Sequence, residues 1–369
     1  MKAIAVNPGQ KNSLHQRDIN KPSVEDIPDG KGVLVKVLKV ALDGTDKDIT
    51  KGKYGKAPRD SDFLIIGHEA YGVVEETGYN VNELTTGDLV VPIVRRPGSS
   101  FYDKIDLFDM TTDTTIFERG ISKRHGFLTE YFIEEPEFLV RVPESYGSLA
   151  VLLEPASIIE KAYEQMHEIQ RRMKIWRPQK AAVLGLGPLG LMAAWKLRLE
   201  GIEVYGFDRT EKPFKRALME GIGAQYFTSE DSPISEVCKK DGRFDIVIEA
   251  TGVAEMASEA ALATAKNGIV ILTSITPKEE TIEIPMSRIN MEFVLGNKVM
   301  FGTVNSNREH FEMAKKDIGF SKDKFPGWLE KIITHEYESL NQYEEAMNTL
   351  INTKEAVKII INTNGHRDN

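Results

Sequence analysis

The glycine-rich string LGLGPLG, at residues 184–190, constrains the fold more than any other feature of the sequence. Its glycines, Gly185, Gly187 and Gly190, have the spacing G-x-G-x-x-G. The string alone is a weak signal, but here an apolar run precedes it and a helix-forming run, LGLMAAWKLRLEG, follows it. Asp208 ends the next apolar run, 18 residues after Gly190. This setting predicts a strand, a turn and a helix that bind the pyrophosphate of a dinucleotide.

The residues around this turn predict which coenzyme binds. Pro188 and Leu189 open the following helix, and we expect them to lie beside the pyrophosphate with the three glycines. Asp208 can accept hydrogen bonds from both hydroxyls of the adenosine ribose and would repel a 2′-phosphate, which favours NAD. Arg209 and Lys212 follow closely, and an arginine beside this position can bind the phosphate of NADP, although both residues are also ordinary solvated loop charges. The sequence therefore predicts NAD or NADP as coenzyme, with NAD favoured.

Strand and helix signals alternate between residues 181 and 305. Strand-like runs lie at 181–187, 202–208, 224–228, 244–252, 269–275 and 297–305, and helices are predicted at 189–201, 212–221 and 254–268. Six strands with helices between most of them, in about 125 residues, predict an α/β fold with a doubly wound parallel sheet. Thr273 and Asn305, in the last two of these strands, are included among the predicted coenzyme contacts.

The first 150 residues have a different pattern. Short β-branched and aromatic runs, such as GVLVKVLKVAL and GDLVVPIV, are separated by turn residues, which predicts the strands of an irregular barrel-like domain. The run at 154–173 has helical periodicity and predicts a bridging helix. Beyond Asn305, a charged helical tail ends in the strand-like AVKIIINT, which we expect to return to the first domain. The predicted domains are 1–155 with 306–369, and 156–305.

Composition excludes several classes of function. Of the 369 residues 41% are hydrophobic and 28% charged, which is typical of a folded globular protein with two domains. The net charge of −9 is spread along the chain without a basic stripe, so we expect no nucleic acid partner. No apolar run approaches the roughly 20 residues that span a bilayer, and MKAIAVNPG lacks a signal-peptide core. We therefore expect a cytoplasmic protein without a membrane partner.

The chain contains a single cysteine, Cys238, so an intrachain disulfide or a cluster of thiolate ligands is impossible. Any bound metal must be held by nitrogen and oxygen. Candidate ligands stand near the ends of predicted strands, where Asp43 follows KVAL and the pair His68 and Glu69 follows LIIG. Glu154 opens the bridging helix in LLEPAS. Singly, Asp43 is an ordinary turn residue and Glu154 an ordinary acid of a first helical turn, but together they predict one divalent metal site.

Several strings resemble one family. They are DGTD (43–46), LIIGHEAYGVVE (64–75), GDLVVPIVRRP (87–97), FERGI (117–121), HGFLTEYF (125–132), LLEPAS (152–157), EATG (249–252) and GTVNS (302–306). In this order the sequence resembles the archaeal glucose dehydrogenase branch of the zinc-containing medium-chain dehydrogenase/reductases, nearly from end to end. The resemblance implies a GroES-like β-barrel catalytic domain beside the Rossmann domain.

The resemblance also implies roles for individual residues. A catalytic zinc ion would be held by Asp43, His68 and Glu154, with Glu69 as a second-shell or exchanging ligand. Thr45 would hydrogen-bond the reacting hydroxyl and help relay its proton. The sugar hydroxyls would be held by Glu118, Glu154 and Asn305. Glu118 is equally open to a salt bridge with Arg119 or another surface base.

This sequence departs from the family pattern at several places. Asp43 stands where most relatives have a cysteine, and zinc accepts carboxylate oxygen in that place. Residues 99–115 contain no cysteine, so a structural zinc site of the four-cysteine type is not expected and one catalytic ion is. Val94 and Gly296 replace an asparagine and a histidine that some relatives use near the sugar, which leaves the identity of the sugar open.

The sequence as a whole predicts oxidation of an aldose, with D-glucose to D-glucono-1,5-lactone as the expected reaction and C1 as the hydride donor. Two alternatives remain, namely a polyol or secondary-alcohol dehydrogenase on the same scaffold and a zinc-free nucleotide-binding redox sensor. A homodimer or homotetramer is expected, since oligomers are usual for this fold. The run GIVILTSI (268–275) is either an edge for self-association or an interior strand.

Overall fold

The computed structural model describes residues 1–276 and 281–363, which form two compact units. Unit 1 comprises Met1–Ser157, Asn305–Gly319 and the described residues from Leu329, and unit 2 comprises Ile158–Val304 and Phe320–Trp328. The sequence-based boundaries stay predictions. They differ from this division in assigning 320–328 to the catalytic domain and residues 156, 157 and 305 to the dinucleotide-binding domain. Residues 277–280 and 364–369, which those predicted domains include, lie outside the described residues.

The strands and helices of the described residues are named here in chain order. The strands are β1 (Lys2–Val6), β2 (His15–Asp18), β3 (Val33–Leu42), β4 (Leu64–Ile65), β5 (Glu69–Thr77), β6 (Leu89–Pro92), β7 (Arg95–Arg96), β8 (Phe117–Arg119), β9 (Lys123–Arg124), β10 (Tyr131–Glu134), β11 (Leu139–Arg141), β12 (Lys180–Leu184), β13 (Glu203–Asp208), β14 (Gln225–Thr228), β15 (Phe244–Glu249), β16 (Thr264–Leu272), β17 (Val299–Gly302), β18 (Ile333–Tyr337) and β19 (Lys358–Asn362). The α-helices are α1 (Gly44–Thr50), α2 (Leu153–Gln170), α3 (Pro188–Leu199), α4 (Pro213–Gly221), α5 (Ile234–Asp241), α6 (Ala254–Ala263), α7 (Met286–Gly296), α8 (Arg308–Lys324), α9 (Trp328–Ile332) and α10 (Tyr343–Asn352).

Unit 1 is organised by a sheet with the strand order β11-β6-β5-β3-β19-β18, in which β10 also pairs with β3. β3, with the sequence VLVKVLKVAL, is rich in β-branched and apolar residues, as a central strand requires. The strand predicted in AVKIIINT forms as β19, and it pairs antiparallel with β3 so that Ile359 lies opposite Leu42. Strands from opposite ends of the chain are therefore neighbours in one sheet.

Unit 2 contains a parallel sheet with the strand order β14-β13-β12-β15-β16-β17. The order reverses between β12 and β15, which is the position where doubly wound folds bind dinucleotides at the carboxyl ends of the strands. The predicted Rossmann architecture is confirmed. β16 pairs on one side with β15 and on the other with β17, so GIVILTSI contributes to an interior strand and not to an edge.

The helix predicted over 254–268 is too long. α6 ends at Ala263, and β16 begins at once with Thr264, which pairs with Phe244 of β15. The alanine-rich composition favours a helix locally. From Thr264 onwards, however, the chain pairs with β15 and forms a strand. α5 and α7 were not predicted. Within the described residues, no helix combines the length and the apolar character that a membrane span requires.

Candidate metal and coenzyme sites

Asp43 lies where β3 gives way to α1, and its carboxylate caps the helix. Oδ1 of Asp43 accepts the backbone N–H of Thr45 at 2.7 Å, and Oδ2 of Asp46 accepts the N–H of Asp43 at 3.1 Å. This reciprocal capping box fixes the direction of the Asp43 side chain. The other oxygen, Oδ2, lies 3.7 Å from Nε2 of His68. Asp43 is thus a helix cap whose second oxygen points to the predicted metal ligand.

His68 is held between two carboxylates. It follows Gly67, whose φ of +84° turns the chain between β4 and β5, and only 4% of its surface is exposed. Its Nδ1 lies 3.7 Å from Oδ2 of Asp46, whose Oδ1 accepts the N–H of Gly67 at 3.0 Å. Burial lowers the pKa of His68, but Asp43 and Asp46 outweigh this effect and raise it well above its usual value. Without a bound ion, the two carboxylates therefore favour a positive charge at this point.

Glu69 and Glu154 complete the cluster. His68, Glu69 and Glu154 are all buried, and each offers a ligand atom within 4.8 Å of the others. Asp43 groups in the same way with Asp46 and His68, so the imidazole is common to both sets. Burial raises the pKa of Glu154 to about 8, with further increases from Glu69 and Asp43 that His68 opposes. The protein alone does not supply enough positive charge to keep this carboxyl group ionised at neutral pH.

A lysine, Lys358 on β19, also lies in this cluster. Its Nζ donates to Oε1 and to Oε2 of Glu69, both at 2.6 Å, and both side chains are 1% exposed. Burying an isolated ammonium group is costly, so this lysine depends on its carboxylate partner. The pairing engages both oxygens of Glu69. We call Asp43, Asp46, His68, Glu69, Glu154 and Lys358 the metal cluster.

The metal cluster fits a divalent cation. Two ligands on a tetrahedral zinc ion lie about 3.3 Å apart, and the 3.7 Å between His68 and Asp43 is close to that value and too long for a hydrogen bond. Nδ1 of His68 is buried and forms no hydrogen bond within the described residues. Four carboxyl groups outnumber the two basic side chains, Lys358 and His68, which favours a bound cation. Imidazole and carboxylate donors suit zinc.

The predicted sugar contacts lie in unit 1. Thr45 is partly exposed at the start of α1, and its hydroxyl forms no hydrogen bond within the part of the chain that the structure describes. Glu118, on β8, is buried, and its Oε1 accepts from Nε and Nη2 of Arg95 at 3.2 and 2.9 Å and from Nδ2 of Asn305 at 2.7 Å. The partner of Glu118 is therefore the buried Arg95, whereas Arg119 pairs with Glu134.

The two departures from the family pattern have local explanations. Val94 is 2% exposed and belongs to the hydrophobic core of unit 1, so its side chain serves packing. Gly296 is the last residue of α7 in unit 2, where a Cβ atom would meet the side chain of Lys298 at 3.3 Å. A larger side chain at residue 296 would require Lys298 to move.

Two aspartates, Asp103 and Asp113, form hydrogen bonds within the segment 99–115, which contains no cysteine. Oδ2 of Asp103 accepts the N–H of Ser100 at 3.0 Å and the hydroxyls of Ser100 and Thr111, both at 2.6 Å. Oδ2 of Asp113 accepts in the same way from the hydroxyl of Ser99 at 3.0 Å. Hydrogen bonds to two aspartates thus tie together both ends of the run 99–115.

The glycine fingerprint of unit 2 forms the turn between β12 and α3. Gly185 has φ +90°, and a Cβ atom there would come within 2.8 Å of the carbonyl oxygen of Ala250. A Cβ atom on Gly190 would collide with the carbonyl oxygen of Gly185, so this glycine permits the close packing of the helix. A Cβ atom on Gly187 would meet nothing within 4 Å. The turn thus leaves open space in front of α3, which Pro188 begins.

The other predicted coenzyme residues lie at carboxyl ends of strands or beyond. Leu189 is partly exposed in the first turn of α3. Thr273 follows β16, and its hydroxyl donates to the carbonyl oxygen of Glu249 at 2.8 Å, which fixes the ends of β15 and β16 against each other. Asn305 groups with unit 1, where its amide contacts Glu118.

Asp208 ends β13, and its carboxylate accepts hydrogen bonds from two lysines. Its Oδ2 accepts from Nζ of Lys212 at 3.1 Å and from Nζ of Lys215 at 3.0 Å. Burial raises the pKa of Asp208, but Lys215 and Lys212 outweigh it and lower the pKa below its usual value. Arg209 is exposed, and its guanidinium forms no ion pair within the described residues. We call Asp208, Arg209, Lys212 and Lys215 the ribose loop, in which two lysines contact the carboxylate of Asp208 and Arg209 is exposed beside it.

Sequence reasoning missed four residues that the geometry brings into these sites, namely Asp46, Arg95, Lys215 and Lys358. Two of them carried a signal. The spacing D-x-x-D at residues 43–46 is that of a capping box, and Lys358 is a lone charge inside the apolar run AVKIIINT, where a buried cation needs a partner. Arg95 and Lys215 stand among other basic residues, and nothing in their spacing distinguishes them.

Two family models match the chain. The model described as "Glucose dehydrogenase C-terminus" matches residues 147–363, and the model described as "Alcohol dehydrogenase GroES-like domain" matches residues 29–144. The first covers more than half of the chain. Together they agree with the GroES-like and Rossmann architecture predicted from the sequence.

Individual relatives match over nearly the whole chain. A glucose 1-dehydrogenase of Methanocella arvoryzae is 42% identical over 364 residues, which are 98% of this chain and 99% of the relative. Glucose 1-dehydrogenase 2 of Vulcanisaeta moutnovskia is 38% identical over 94% of this chain and 95% of its own. The crystal structure of Haloferax mediterranei glucose dehydrogenase in complex with NADP, Zn and gluconolactone aligns with a TM-score of 0.88 at 35% identity, over 98% of this chain and 99% of that one. The chain therefore belongs to the archaeal glucose dehydrogenase branch of the zinc-containing medium-chain dehydrogenase/reductases.

Proposed function

We propose that this chain is a zinc-dependent, NAD(P)-linked glucose 1-dehydrogenase, which oxidises D-glucose at C1 to D-glucono-1,5-lactone. The observation that carries the proposal is the metal cluster, where a buried imidazole and an excess of carboxylates converge in a chain of this family. The Haloferax relative was solved with NADP, Zn and gluconolactone, which are the coenzyme, the ion and the product of such a reaction.

We assign the zinc ligands to Asp43, His68 and Glu154. When bound, the ion would supply Lewis-acid chemistry that lowers the pKa of the C1 hydroxyl and so favours the deprotonated oxygen from which the carbonyl forms as hydride leaves. Glu69 is the fourth candidate. Lys358 engages both of its oxygens, so Glu69 would lie beside the ligands and exchange into the ligand set when that pairing opens. Asp46 orients His68 from the side opposite Asp43.

The chain's own residues would orient the sugar and remove its proton. The Thr45 hydroxyl forms no hydrogen bond within the described residues. It would accept a hydrogen bond from the C1 hydroxyl and relay the proton towards solvent. Glu118, Glu154 and Asn305 bind further hydroxyls of the ring. A polyhydroxy substrate leaves few of these buried polar groups unpaired, whereas a simple alcohol would leave several, which disfavours such alcohols.

The coenzyme is held by the turn at Gly185, Gly187 and Gly190 with Pro188 and Leu189, by the ribose loop and by Thr273. Asp208 supports the NAD preference predicted from the sequence. The two lysines on Asp208 oppose it, because they neutralise the charge that would repel a 2′-phosphate. We therefore propose that both coenzymes are used.

We also propose that the protein is a homo-oligomer that associates through β17 and α7. β17 is one of the two edge strands of the described parallel sheet, and Met291, Val294 and Leu295 on α7 are each more than half exposed. Grouped exposed apolar side chains beside an edge strand are typical of a protein interface. Analytical ultracentrifugation tests this, since Leu295→Asp should shift the protein to monomers while Met110→Asp, at another exposed apolar residue, should not.

The experiment that tests the proposed function combines substrates with metal analysis. Initial rates are measured on glucose, galactose, xylose, sorbitol and propanol with each coenzyme, and zinc is quantified in the purified protein. We expect the largest kcat/KM for glucose and close to one zinc ion per chain. Higher rates on sorbitol or propanol would replace the proposal with a polyol or secondary-alcohol dehydrogenase. A protein without zinc and without turnover would favour a nucleotide-binding redox sensor.

A further inference from the structure

Arg95 and Glu118 form a buried ion pair in unit 1 that the strand pairing itself creates. β7 and β8 are antiparallel, and Arg95 lies directly opposite Glu118 in their register. Residues opposite each other in an antiparallel pair place their side chains on the same face of the sheet. Arg95 is 4% exposed and Glu118 is 6% exposed, so the pair is almost completely removed from water.

The two oxygens of Glu118 have different surroundings. Oε1 accepts three hydrogen bonds, two from the guanidinium of Arg95 and one from the amide of Asn305. Oε2 accepts none from the described residues. The terminal torsion of a glutamate is otherwise broad, so these three donors determine where Oε2 points. Glu118 is thus a carboxylate with one oxygen fixed by the protein and the other available to a ligand.

Asn305 is fixed as well. Its Oδ1 accepts the N–H of Ser306 at 2.8 Å while its Nδ2 donates to Glu118, and its φ of +60° is left-handed, which asparagine tolerates better than most residues. Because backbone and side chain are both constrained, the amide cannot turn away from Glu118 without losing two hydrogen bonds. Arg95, on strand β7, and Asn305, in a loop of unit 1, therefore both hold the carboxylate of Glu118.

The neighbouring arginine provides a contrast. Arg96 is also buried, but its guanidinium donates to the carbonyl oxygens of Ile93 and Arg95 and pairs with Glu134. Glu134 accepts from Arg119 in addition, at 2.9 Å, and its other oxygen, Oε1, accepts the N–H of Glu135 at 3.2 Å. Both oxygens of Glu134 are engaged by the protein. The Arg96 pair is therefore a structural ion pair, whereas the Arg95 pair leaves an acceptor open.

We propose that Arg95 is a positioning residue for substrate recognition, which fixes Glu118 so that Oε2 accepts a hydrogen bond from one ring hydroxyl of the sugar. This inference rests on the proposed function. A positioned charged acceptor discriminates strongly between a substrate that carries the hydroxyl and one that lacks it. Without the guanidinium, Oε2 would no longer be held in one direction and the discrimination would weaken.

The test compares glucose with its 2-, 3-, 4- and 6-deoxy analogues. In the wild-type protein we expect one analogue to lose about tenfold or more in kcat/KM, because it lacks the hydroxyl that Glu118 binds. In Arg95→Gln that loss should largely disappear, while the KM for glucose rises about tenfold and the KM for the coenzyme stays unchanged. Glu118→Gln should remove the penalty for the same analogue, and Arg95→Lys, which retains one donor, should give an intermediate value.

Arg96→Lys is the matched control, since it disturbs a buried arginine on the same strand. It should lower the melting temperature and leave the pattern of deoxy-sugar penalties as in the wild type. If Arg95→Gln and Arg95→Lys keep the wild-type pattern, or if all sugars fall by the same factor in them, the inference is wrong. Glu118→Gln reads the same contact should the Arg95 variants not fold. A wild-type protein that oxidises no aldose overturns the proposed function and this inference with it.

Discussion

The metal cluster of unit 1 and the ribose loop of unit 2 have opposite excesses of charge. In the metal cluster four carboxyl groups meet one lysine and one histidine, and in the ribose loop one carboxylate meets two lysines. The metal cluster is buried, where an unbalanced charge is costly. The ribose loop is partly exposed, and water screens part of its charge. The formal net charge of −9 conceals both local excesses, which favour a bound cation in one unit and a bound anion in the other.

The largest effect is expected from breaking the metal cluster. Asp43→Ala removes a proposed zinc ligand and should lower kcat/KM by about a thousandfold or more, because the Lewis acid is lost or displaced. The binding of NAD, measured by fluorescence titration, should be unchanged. Asp48→Ala, in the same helix, is the control, since Asp48 pairs on the surface with Lys53. An Asp43→Ala protein with full activity and normal zinc content would contradict the assignment.

A smaller effect, on stability, is expected from Lys358→Met. Removing the lysine leaves the Glu69 carboxylate buried without its partner, which should cost about 3 kcal/mol in the free energy of unfolding measured by urea denaturation. Lys53→Met breaks an exposed pair and should cost less than about 1 kcal/mol. In the double variant Glu69→Gln/Lys358→Met part of the loss should be recovered. Additive losses would show that the two residues do not depend on each other.

A weaker effect, on coenzyme preference, is expected from removing a cation of the ribose loop. Lys215→Gln removes a cation and should lower the ratio of kcat/KM for NADP to that for NAD about tenfold, or about 1.4 kcal/mol. Lys239→Gln, on an exposed surface pair of the same unit, should leave the ratio unchanged. Binding of 2′-AMP and 5′-AMP, measured by calorimetry, reports the same preference without a sugar. A ratio that rises in Lys215→Gln would mean that Lys215 serves only to hold Asp208.

The smallest effect is expected from His125, which lies outside both the metal cluster and the ribose loop and contributes to the pH dependence of stability. Burial, with a contribution from Arg119, lowers the pKa of His125 to about 4, and its Nδ1 accepts the N–H of Ile65 at 3.2 Å. The unfolded chain therefore takes up a proton near pH 6.5 that the folded chain takes up only near pH 4. The stabilising contribution is complete above pH 6.5 and is lost as the pH falls towards 4.

Because His125 is partly exposed, we expect a loss of only about 1 kcal/mol across this range. Urea denaturation at several pH values measures it, and His125→Asn should reduce the slope between pH 6.5 and 4. An unchanged slope in the variant would show that other groups account for the pH dependence.

Local patterns predicted much of the fold. The alternation of apolar runs and the fingerprint at Gly185 identified the parallel sheet, because these depend on neighbouring residues. The partners of buried charges were not predictable in the same way. Lys358 lies 289 positions from Glu69, and only the pairing of β19 with β3 brings them together. Arg95 meets Glu118 only through strand register. Sequence reasoning identified functional groups at strand ends, such as Asp43 and His68. It did not identify Lys358 and Arg95, whose partners depend on tertiary pairing.

The position of β19 has a consequence for biosynthesis. The ribosome makes β3 before β19, and the whole of the coenzyme-binding unit is synthesised in between. A nascent chain that has reached Val304 already contains Asp43, His68, Glu69 and Glu154, yet it lacks Lys358 and one of the strands that flank β3. Until Lys358 has been synthesised, Glu69 lacks its ammonium partner, so an ion captured during that interval would meet an unfinished site.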